Sequence, residues 1–192
     1  MKSKRFVALL LSLVMVFTLI GCGTQTPPDE TGDGQTGTHY KEEIVIAMAD
    51  EFTTIDPMET TAETNQIVQD CTHDLLTDTN LTTMENEGEL VDHWEMVAPD
   101  HWIFYLKDNV TFHDGTKLNV DDVEFTFERA KDHATTANYM AMIKEFVKVD
   151  ELTFEIYLTQ GNVDFNYTLA ANSLAILSKE AFETMPEEDA VK

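Results

Sequence analysis

The sequence predicts an α/β fold, and two observations indicate it. Short apolar runs of strand length alternate with longer segments of helical spacing, in the order strand, helix, strand cluster, then helices and strands. The composition of 43% hydrophobic and 25% charged residues is typical of a globular protein that buries a core. A chain of 192 residues has room for about one domain.

The first folded elements are predicted between residues 44 and 76. Ile44–Ala49 is a short apolar run that predicts a buried strand, and the following loop, Glu51–Glu59, contains an Asp-Pro turn signal. Thr64–Leu76 predicts a helix with one apolar face. That face comprises Ile67, Val68, Cys71, Leu75 and Leu76. On it Cys71 is expected to behave as a small core residue.

A second group of short elements follows. Leu90–Met96 leads to a turn at Pro99-Asp100, and Trp102–Leu106 and Val110–Phe112 are predicted strands. Asn119 is then placed to cap a helix, with Asp122 three residues on in the capping-box position.

The remaining elements are a helix, a strand and a mixed segment. We expect a helix over about Asn138–Phe146 and a strand over Leu152–Leu158, in which every second residue is apolar. Phe165–Leu177 is interpreted as a helix that passes into a strand.

The charge balance is strongly acidic. Lys and Arg number 12 against 36 Asp and Glu, for a formal net charge of −24. Binding of nucleic acids and electrostatic adhesion to anionic lipid head groups depend on basic residues, so the charge balance argues against both. The balance is typical of a well-solvated exterior and is compatible with attraction of cationic ligands.

Residues 1–22 predict a bacterial lipoprotein signal peptide. Lys2, Lys4 and Arg5 precede an apolar run that is shorter than the roughly 20 residues a membrane-spanning helix needs. The run ends in Leu19-Ile20-Gly21-Cys22, which resembles a lipobox. The resemblance implies cleavage before Cys22, lipid attachment (palmitate and related acyl chains) to its thiol, and anchoring on the extracytoplasmic face of the cell membrane. The alternative is an ordinary signal peptide or short anchor with a chance cysteine.

Residues 23–41 predict a flexible linker. Up to His39 they are rich in Gly, Thr, Pro and acidic residues and contain no large apolar side chain, so they cannot build a core. The folded part is therefore expected over residues 42–192. A disulfide between Cys22 and Cys71 would tie the leader to this part, so no disulfide framework is predicted.

His113-Asp114-Gly115 has two interpretations. The pair could be an acid–base or metal site, since histidine titrates near neutral pH. Adjacent residues of a strand point to opposite faces, however, and Asp-Gly is a strong turn signal, which favours a structural turn. The six histidines show no metal-ligand spacing, and no nucleophile or phosphate-loop motif occurs. No catalytic residue, metal or cofactor is predicted.

The stretch from Leu90 to Arg129 resembles the family 5 extracellular solute-binding proteins. It includes Tyr105-Leu106, Val110-Thr111-Phe112-His113-Asp114-Gly115 and Leu118–Arg129, of which residues 112–129 are the most specific. Three shorter segments fit in order: Ile55-Asp56-Pro57, Asp74-Leu75-Leu76 and Ile176-Leu177-Ser178-Lys179. The segment Leu106-Lys107-Asp108-Asn109 departs from the family's Leu-Arg-x-Gly.

The resemblance implies a type II periplasmic-binding-protein-like fold. Members are two-lobed and several hundred residues long, so residues 42–192 would be an incomplete first lobe with a mixed β-sheet and flanking helices. We expect the chain to be a fragment or the product of a truncated gene.

The resemblance also implies a function. The chain would be a non-enzymatic lipoprotein that captures a solute, first of all a peptide, for the permease of an ABC importer. Alternatives are a nickel, metal-chelate or oligosaccharide binder of the same family, a truncated lipoprotein without a ligand, and, least favoured, a hydrolase using His113 and Asp114. The ligand contacts implied by position are Thr60, Thr61, Asn65, Tyr139 and Asn172.

Overall fold

The computed structural model describes residues 45–185. The predicted signal peptide, the lipid-attachment residue Cys22 and the linker over residues 23–41 lie outside the described residues. The α/β fold class is confirmed, since sheets and helices alternate through the described part.

The predicted first strand does not form over residues 45–49. These residues carry no strand hydrogen bonds, and Ile46 and Met48 are 62% and 40% exposed. A strand requires a partner strand for its backbone groups, and within residues 45–185 none pairs with this segment.

The first helix, α1 (Glu63–Gln69), is shorter than predicted and buries a different face. Its buried residues are polar, namely Thr64, Asn65 and Gln69, whereas Ile67 and Cys71 are exposed. The prediction of an apolar face and a core Cys71 was therefore wrong. The buried amides hold the preceding loop: Asn65 Nδ2 donates to Thr54 O at 3.0 Å, and Gln69 Nε2 donates to Asp56 O at 3.1 Å.

Two antiparallel sheets follow α1. The first pairs β1 (Thr77–Thr79) with β2 (Asn86–Gly88). The second has four strands in the order β3-β4-β6-β5, all antiparallel. Its strands are β3 (Val91–Ala98), β4 (His101–Leu106), β5 (Ile143–Lys148) and β6 (Thr153–Leu158). The turn predicted at Pro99-Asp100 joins β3 and β4.

The two faces of the larger sheet differ. Its inner face is apolar and includes Phe104, Phe154 and Ile156, all fully buried. Its outer face carries two stacked pairs, His93 on Tyr105 at 4.3 Å and His101 on Tyr157 at 4.2 Å between ring centroids. The alternation predicted for the strand at 152–158 is thus confirmed.

Helix α2 (Val120–Ala130) packs on the core. Asn119 Oδ1 accepts from Asp121 N at 2.7 Å, and Asp122 Oδ2 accepts from Asn119 N at 3.0 Å, which confirms the predicted capping box. Before the helix, Val110–Phe112 forms no strand but contributes a single bridge between Thr111 and Lys117.

The helix predicted over residues 138–146 was largely wrong. Helix α3 (Ala137–Met140) ends early, and residues from Ile143 form strand β5, because β6 offers them a complete ladder.

The segment predicted over residues 165–177 contains α4 (Phe165–Thr168) and a 3₁₀ turn (Asn172–Leu174). Residues 175–178 are buried and extended but form no strand. Helix α5 (Lys179–Thr184) closes the described part.

Candidate functional site

The loop before α1 is anchored by a buried ion pair. Asp56 accepts hydrogen bonds from Met58 N at 2.9 Å and from Arg129 of α2. The Arg129 guanidinium also lies over the Phe182 ring, 5.1 Å from its centroid. These contacts fix the loop against α2 and α5, and two cavities lie next to it.

The first cavity, here called the hairpin cavity, has a volume of about 530 Å³. It lies between residues 55–57, the turn at 71–74, the hairpin at 110–114 and residues 176–185. His73 and His113 both line it. Burial, with the nearby His113, lowers the pKa of His73, although Asp56 and Asp74 oppose the shift. This shift favours the neutral form of the His73 imidazole.

His113 and Asp114 do not form an acid–base pair. Asp114 Oδ1 accepts from Thr116 N at 2.8 Å and from Thr116 Oγ1 at 2.6 Å, and these bonds lower the pKa of Asp114. Gly115 has a φ of +88°, and its N donates to Phe112 O at 2.9 Å. The predicted Asp-Gly turn is thus confirmed. The hydrogen bonds that the Asp114 carboxylate accepts are made within this turn.

The second cavity, here called the acidic cavity, has a volume of about 450 Å³ and lies at the end of α1. Its lining residues are Gln69, Asp70, His73, Leu75, Asp78, Thr79, Leu81, Glu89, Ala170, Asn172 and Ala175. Three are carboxylates, and none is Lys or Arg. Burial raises the pKa of Asp70, and Asp78 raises it further. Burial also raises the pKa of Glu89, and the charges of Asp74 and Asp78 raise it further. A hydrogen bond from Leu75 N and the charge of Lys107 act in the opposite direction and lower it.

The five residues implied as ligand contacts fall in three places. Thr60, Thr61 and Asn65 lie at the start of α1, where Thr60 Oγ1 accepts from Ala62 N and Asn65 is 1% exposed. Tyr139 lies on α3 and packs partly buried against the core. Asn172 lines the acidic cavity and donates to Asp70 Oδ1 at 2.6 Å.

Sequence reasoning did not identify the acidic cavity. Asp70, Asp78 and Glu89 come from the end of α1, from β1 and from the loop after β2, with no spacing that relates them. Only the pairing of β1 with β2 and the packing of α1 bring them to one cavity.

Two further findings concern residues 45–185 as a whole. None of the helices there has the length and apolar character needed to cross a membrane. In the same residues, no three His, Cys, Asp or Glu side chains are grouped closely enough to hold a metal ion.

Comparison with curated proteins finds a relative that is similar to this chain over a limited region. The chain is 35% identical over 110 residues to the HTH-type transcriptional regulator SgrR of Escherichia coli O6:K15:H31 (strain 536 / UPEC). That similarity covers 57% of this chain and 19% of the regulator.

Solved structures share the fold. The ABC transporter-associated periplasmic binding protein DppA from Helicobacter pylori, in complex with the peptide STSA, matches with a TM-score of 0.62 and 22% identity, over 73% of this chain and 31% of that one. A nickel ABC transporter structure from Bacillus halodurans matches with a TM-score of 0.58 and 20% identity, over 72% and 27%. The chain thus spans less than a third of the length of either, and its fold is that of part of a type II periplasmic binding protein.

The model of the bacterial extracellular solute-binding proteins, family 5 Middle, matches residues 85–191, which is more than half of the chain. This range includes the block from Phe112 to Arg129, the larger sheet and helix α2. The chain therefore belongs to the bacterial extracellular solute-binding proteins of family 5.

Proposed function

We propose that this chain captures a solute for an ABC importer, without catalysing a reaction, and that the solute is a peptide. The observation that carries the proposal is the family match over residues 85–191. A structural neighbour from Helicobacter pylori that is ABC transporter-associated and holds a peptide supports the choice of ligand. Capture in such proteins works by closure of two lobes around the ligand.

We further propose that the ligand is contacted by Thr60, Thr61, Asn65, Tyr139 and Asn172. Asn172 has the best support because it lines a cavity and is only half-buried. Asn65 is the weakest member of the set, since its amide nitrogen already donates to Thr53 Oγ1 and Thr54 O.

Lipid anchoring belongs to the same proposal. The basic start, the apolar run and the Leu19-Ile20-Gly21-Cys22 segment support attachment at Cys22 and a location on the extracytoplasmic face, and residues 23–41 would serve as the tether. In a bacterial host fed a labelled fatty acid, we expect the chain to carry label and to fractionate with membranes. The Cys22→Ala variant should lose both properties, whereas Cys71→Ala should keep them. Labelling of Cys22→Ala would contradict the anchor.

A second candidate ligand is nickel or a nickel chelate. The structural neighbour from Bacillus halodurans supports it, and His73 and His113 line one cavity. The similarity to a transcriptional regulator supports no DNA-binding role, because a chain with net charge −24 repels phosphates.

The test is calorimetry on the full chain, purified from membranes in detergent, with the peptide Ser-Thr-Ser-Ala, a mixture of random tetrapeptides, and Ni²⁺ with free histidine. We expect heat of binding with peptides. Asn172→Ala should weaken binding about tenfold, the usual effect of one lost hydrogen bond to a ligand. The matched control Asn138→Ala, at an exposed position on α3, should change nothing. Binding of Ni²⁺ with histidine but not of peptides would favour the second candidate. Binding of neither peptides nor Ni²⁺ would contradict the proposal.

A further inference from the structure

The loop before α1, here called the α1 loop (residues 53–62), forms neither helix nor strand. It carries Thr60 and Thr61, two of the proposed ligand contacts. Ile55 is exposed, whereas Met58 is buried. A loop that buries few apolar side chains opens locally at a low free energy unless other contacts hold it. The contacts that hold this loop therefore decide where Thr60 and Thr61 lie.

Side chains from three other segments hold the backbone of the α1 loop. Gln69 of α1 donates from Nε2 to Asp56 O at 3.1 Å. Arg129 of α2 binds the Asp56 carboxylate. Thr135, which precedes α3, donates from Oγ1 to Met58 O at 2.6 Å. Asp56 thus receives contacts from two helices, shortly before the chain reaches the two threonines.

Gln69 makes its contact at a cost in stability. The residue is 2% exposed, and its Oε1 is buried and accepts no hydrogen bond within residues 45–185. A buried acceptor that has no donor gives up its bonds to water without replacement, which is unfavourable. Asp56 O also accepts from Glu59 N at 3.3 Å, so it would keep a donor without Gln69.

A methionine would suit the packing at position 69 better than a glutamine. Methionine has nearly the same size and carries no strong hydrogen-bond acceptor. It would fill the same space without an unpaired oxygen, but it could not donate to Asp56 O. Packing and stability therefore do not account for a glutamine at this position, whereas holding the α1 loop does.

We propose that Gln69 is a positioning residue, which holds the α1 loop in the conformation in which Thr60 and Thr61 contact the ligand. The inference rests on the proposed capture of a peptide. Thr60 Oγ1 accepts from Ala62 N at 3.1 Å, and Thr61 is exposed, so the path of the loop places both hydroxyl groups. A loop that is ordered before binding loses less conformational entropy when the ligand binds.

The test variant is Gln69→Met, studied in the full chain purified from membranes in detergent. We expect the midpoint of urea unfolding to stay the same or to rise, because the unpaired oxygen is removed. Hydrogen exchange followed by NMR should become at least about threefold faster at the amides of Met58 and Glu59, which donate to Asp56. Calorimetry should show at least about threefold weaker binding of the peptide Ser-Thr-Ser-Ala, because binding must then order the loop.

The matched control is Gln66→Met, the same change at a half-buried position on the same helix. It leaves the bond from Gln69 to Asp56 O in place, so exchange and affinity should both stay within about twofold of the parent chain. Far-UV circular dichroism checks folding, and Gln69→Leu, which removes the same bond, replaces Gln69→Met if that variant unfolds. Unfolding of both variants would show that the fold requires Gln69 and would overturn the proposal.

Three further results would overturn the proposal and leave peptide capture standing. A lower urea midpoint with unchanged exchange at Met58 and Glu59 would give Gln69 a role in stability alone. Faster exchange with unchanged peptide affinity would mean that holding the α1 loop does not serve capture. Equal effects of Gln66→Met would mean that any such change on α1 acts in this way. If the parent chain binds no peptide, the proposed function itself is contradicted, and the role of Gln69 in capture with it.

Discussion

Arg129 binds both carboxylate oxygens of Asp56, a residue 73 positions earlier in the chain. Its Nη1 lies 3.1 Å from Asp56 Oδ1, and its Nη2 contacts Oδ2. The side chains are 16% and 2% exposed, respectively. This pair connects the loop before α1 to the end of α2 and so supports the region between the two cavities.

Removing one member of this pair should be costly. We expect Arg129→Ala to lower the free energy of unfolding by about 3–5 kcal/mol, because it leaves the buried Asp56 carboxylate unpaired. Urea denaturation measures the loss. The control Lys131→Ala breaks an exposed pair with Glu128 and should cost less than about 1 kcal/mol. The double variant Asp56→Ala/Arg129→Ala should lose less than the sum of the single variants; an additive result would contradict the coupling.

Gly115 and Gly88 should respond differently to substitution. Gly115 has a φ of +88° with no atom within 4 Å of an added Cβ, so Gly115→Ala should cost about 1–2 kcal/mol from backbone strain alone. Gly115→Asn should recover much of this loss, since Asn tolerates positive φ.

At Gly88 a substitution is disfavoured by a steric clash instead of by backbone strain. An added Cβ would lie 2.2 Å from Val91 O, so Gly88→Ala should cost about 1–3 kcal/mol or more, and Gly88→Asn should recover nothing. Thermal and urea unfolding of the four variants at these two glycines would test the contrast. Equal rescue by Asn at both positions would contradict it.

The outer face of the larger sheet should respond to acid. Glu155 Oε2 accepts from Tyr157 OH at 2.7 Å and contacts His101 Nε2 at 2.8 Å, and these bonds lower the pKa of Glu155 below 4.5. A carboxylate with a lowered folded pKa contributes stability that is present above pH 4.5 and is lost as the pH falls through the folded pKa.

Tyr157→Phe removes the largest cause of that shift. We expect the pKa of Glu155 to rise towards 4.5 and the loss of stability below pH 4.5 to become shallower. Carboxyl NMR titration and urea unfolding at several acid pH values measure the two effects. Tyr105→Phe, which changes the other His–Tyr stack, should leave the pKa of Glu155 unchanged.

Asp78 should control the protonation of its neighbours in the acidic cavity. Burial and the Asp78 charge raise the pKa of Asp70 above 3.8, so the folded state holds this proton more tightly than the unfolded state does. Stability therefore falls as the pH rises from 3.8 through the raised pKa, and stays lower above it.

In Asp78→Asn this repulsion is absent. The pKa of Asp70 and of Glu89 should decrease, and the variant should be more stable than the parent chain at pH 7. Carboxyl NMR titration gives the two pKa values, and Asp132→Asn is the control at an exposed position. An unchanged pKa of Asp70 would show that Asp78 does not act on it.

Local signals in the sequence predicted local structure correctly. The capping box of Asn119 and Asp122 and the turn at Asp114-Gly115 depend on hydrogen bonds between residues at most three apart, so the residue types alone specify them. Alternation over residues 152–158 similarly identified a strand with one buried face.

The face that α1 buries could not be predicted in this way. Asn65 and Gln69 are buried because the loop at 53–56 offers them acceptors 11 to 13 residues away, and Ile67 is exposed as a consequence. Strand β5 was misjudged for a related reason, because Phe146 lies in a strand only through its pairing with Ile156 of β6.

The sequence by itself determined the family block at residues 112–129, whereas Asn172 was implied as a ligand contact only by its position in the resemblance and stays a prediction. Tertiary structure alone decided that Asn172 faces Asp70 and that Asp78 and Glu89 share one cavity with them. The physical reason is the separation along the chain of the residues that interact. A cap or a turn is stabilised by neighbours along the chain, whereas a cavity is formed by segments that meet only after strands have paired and helices have packed.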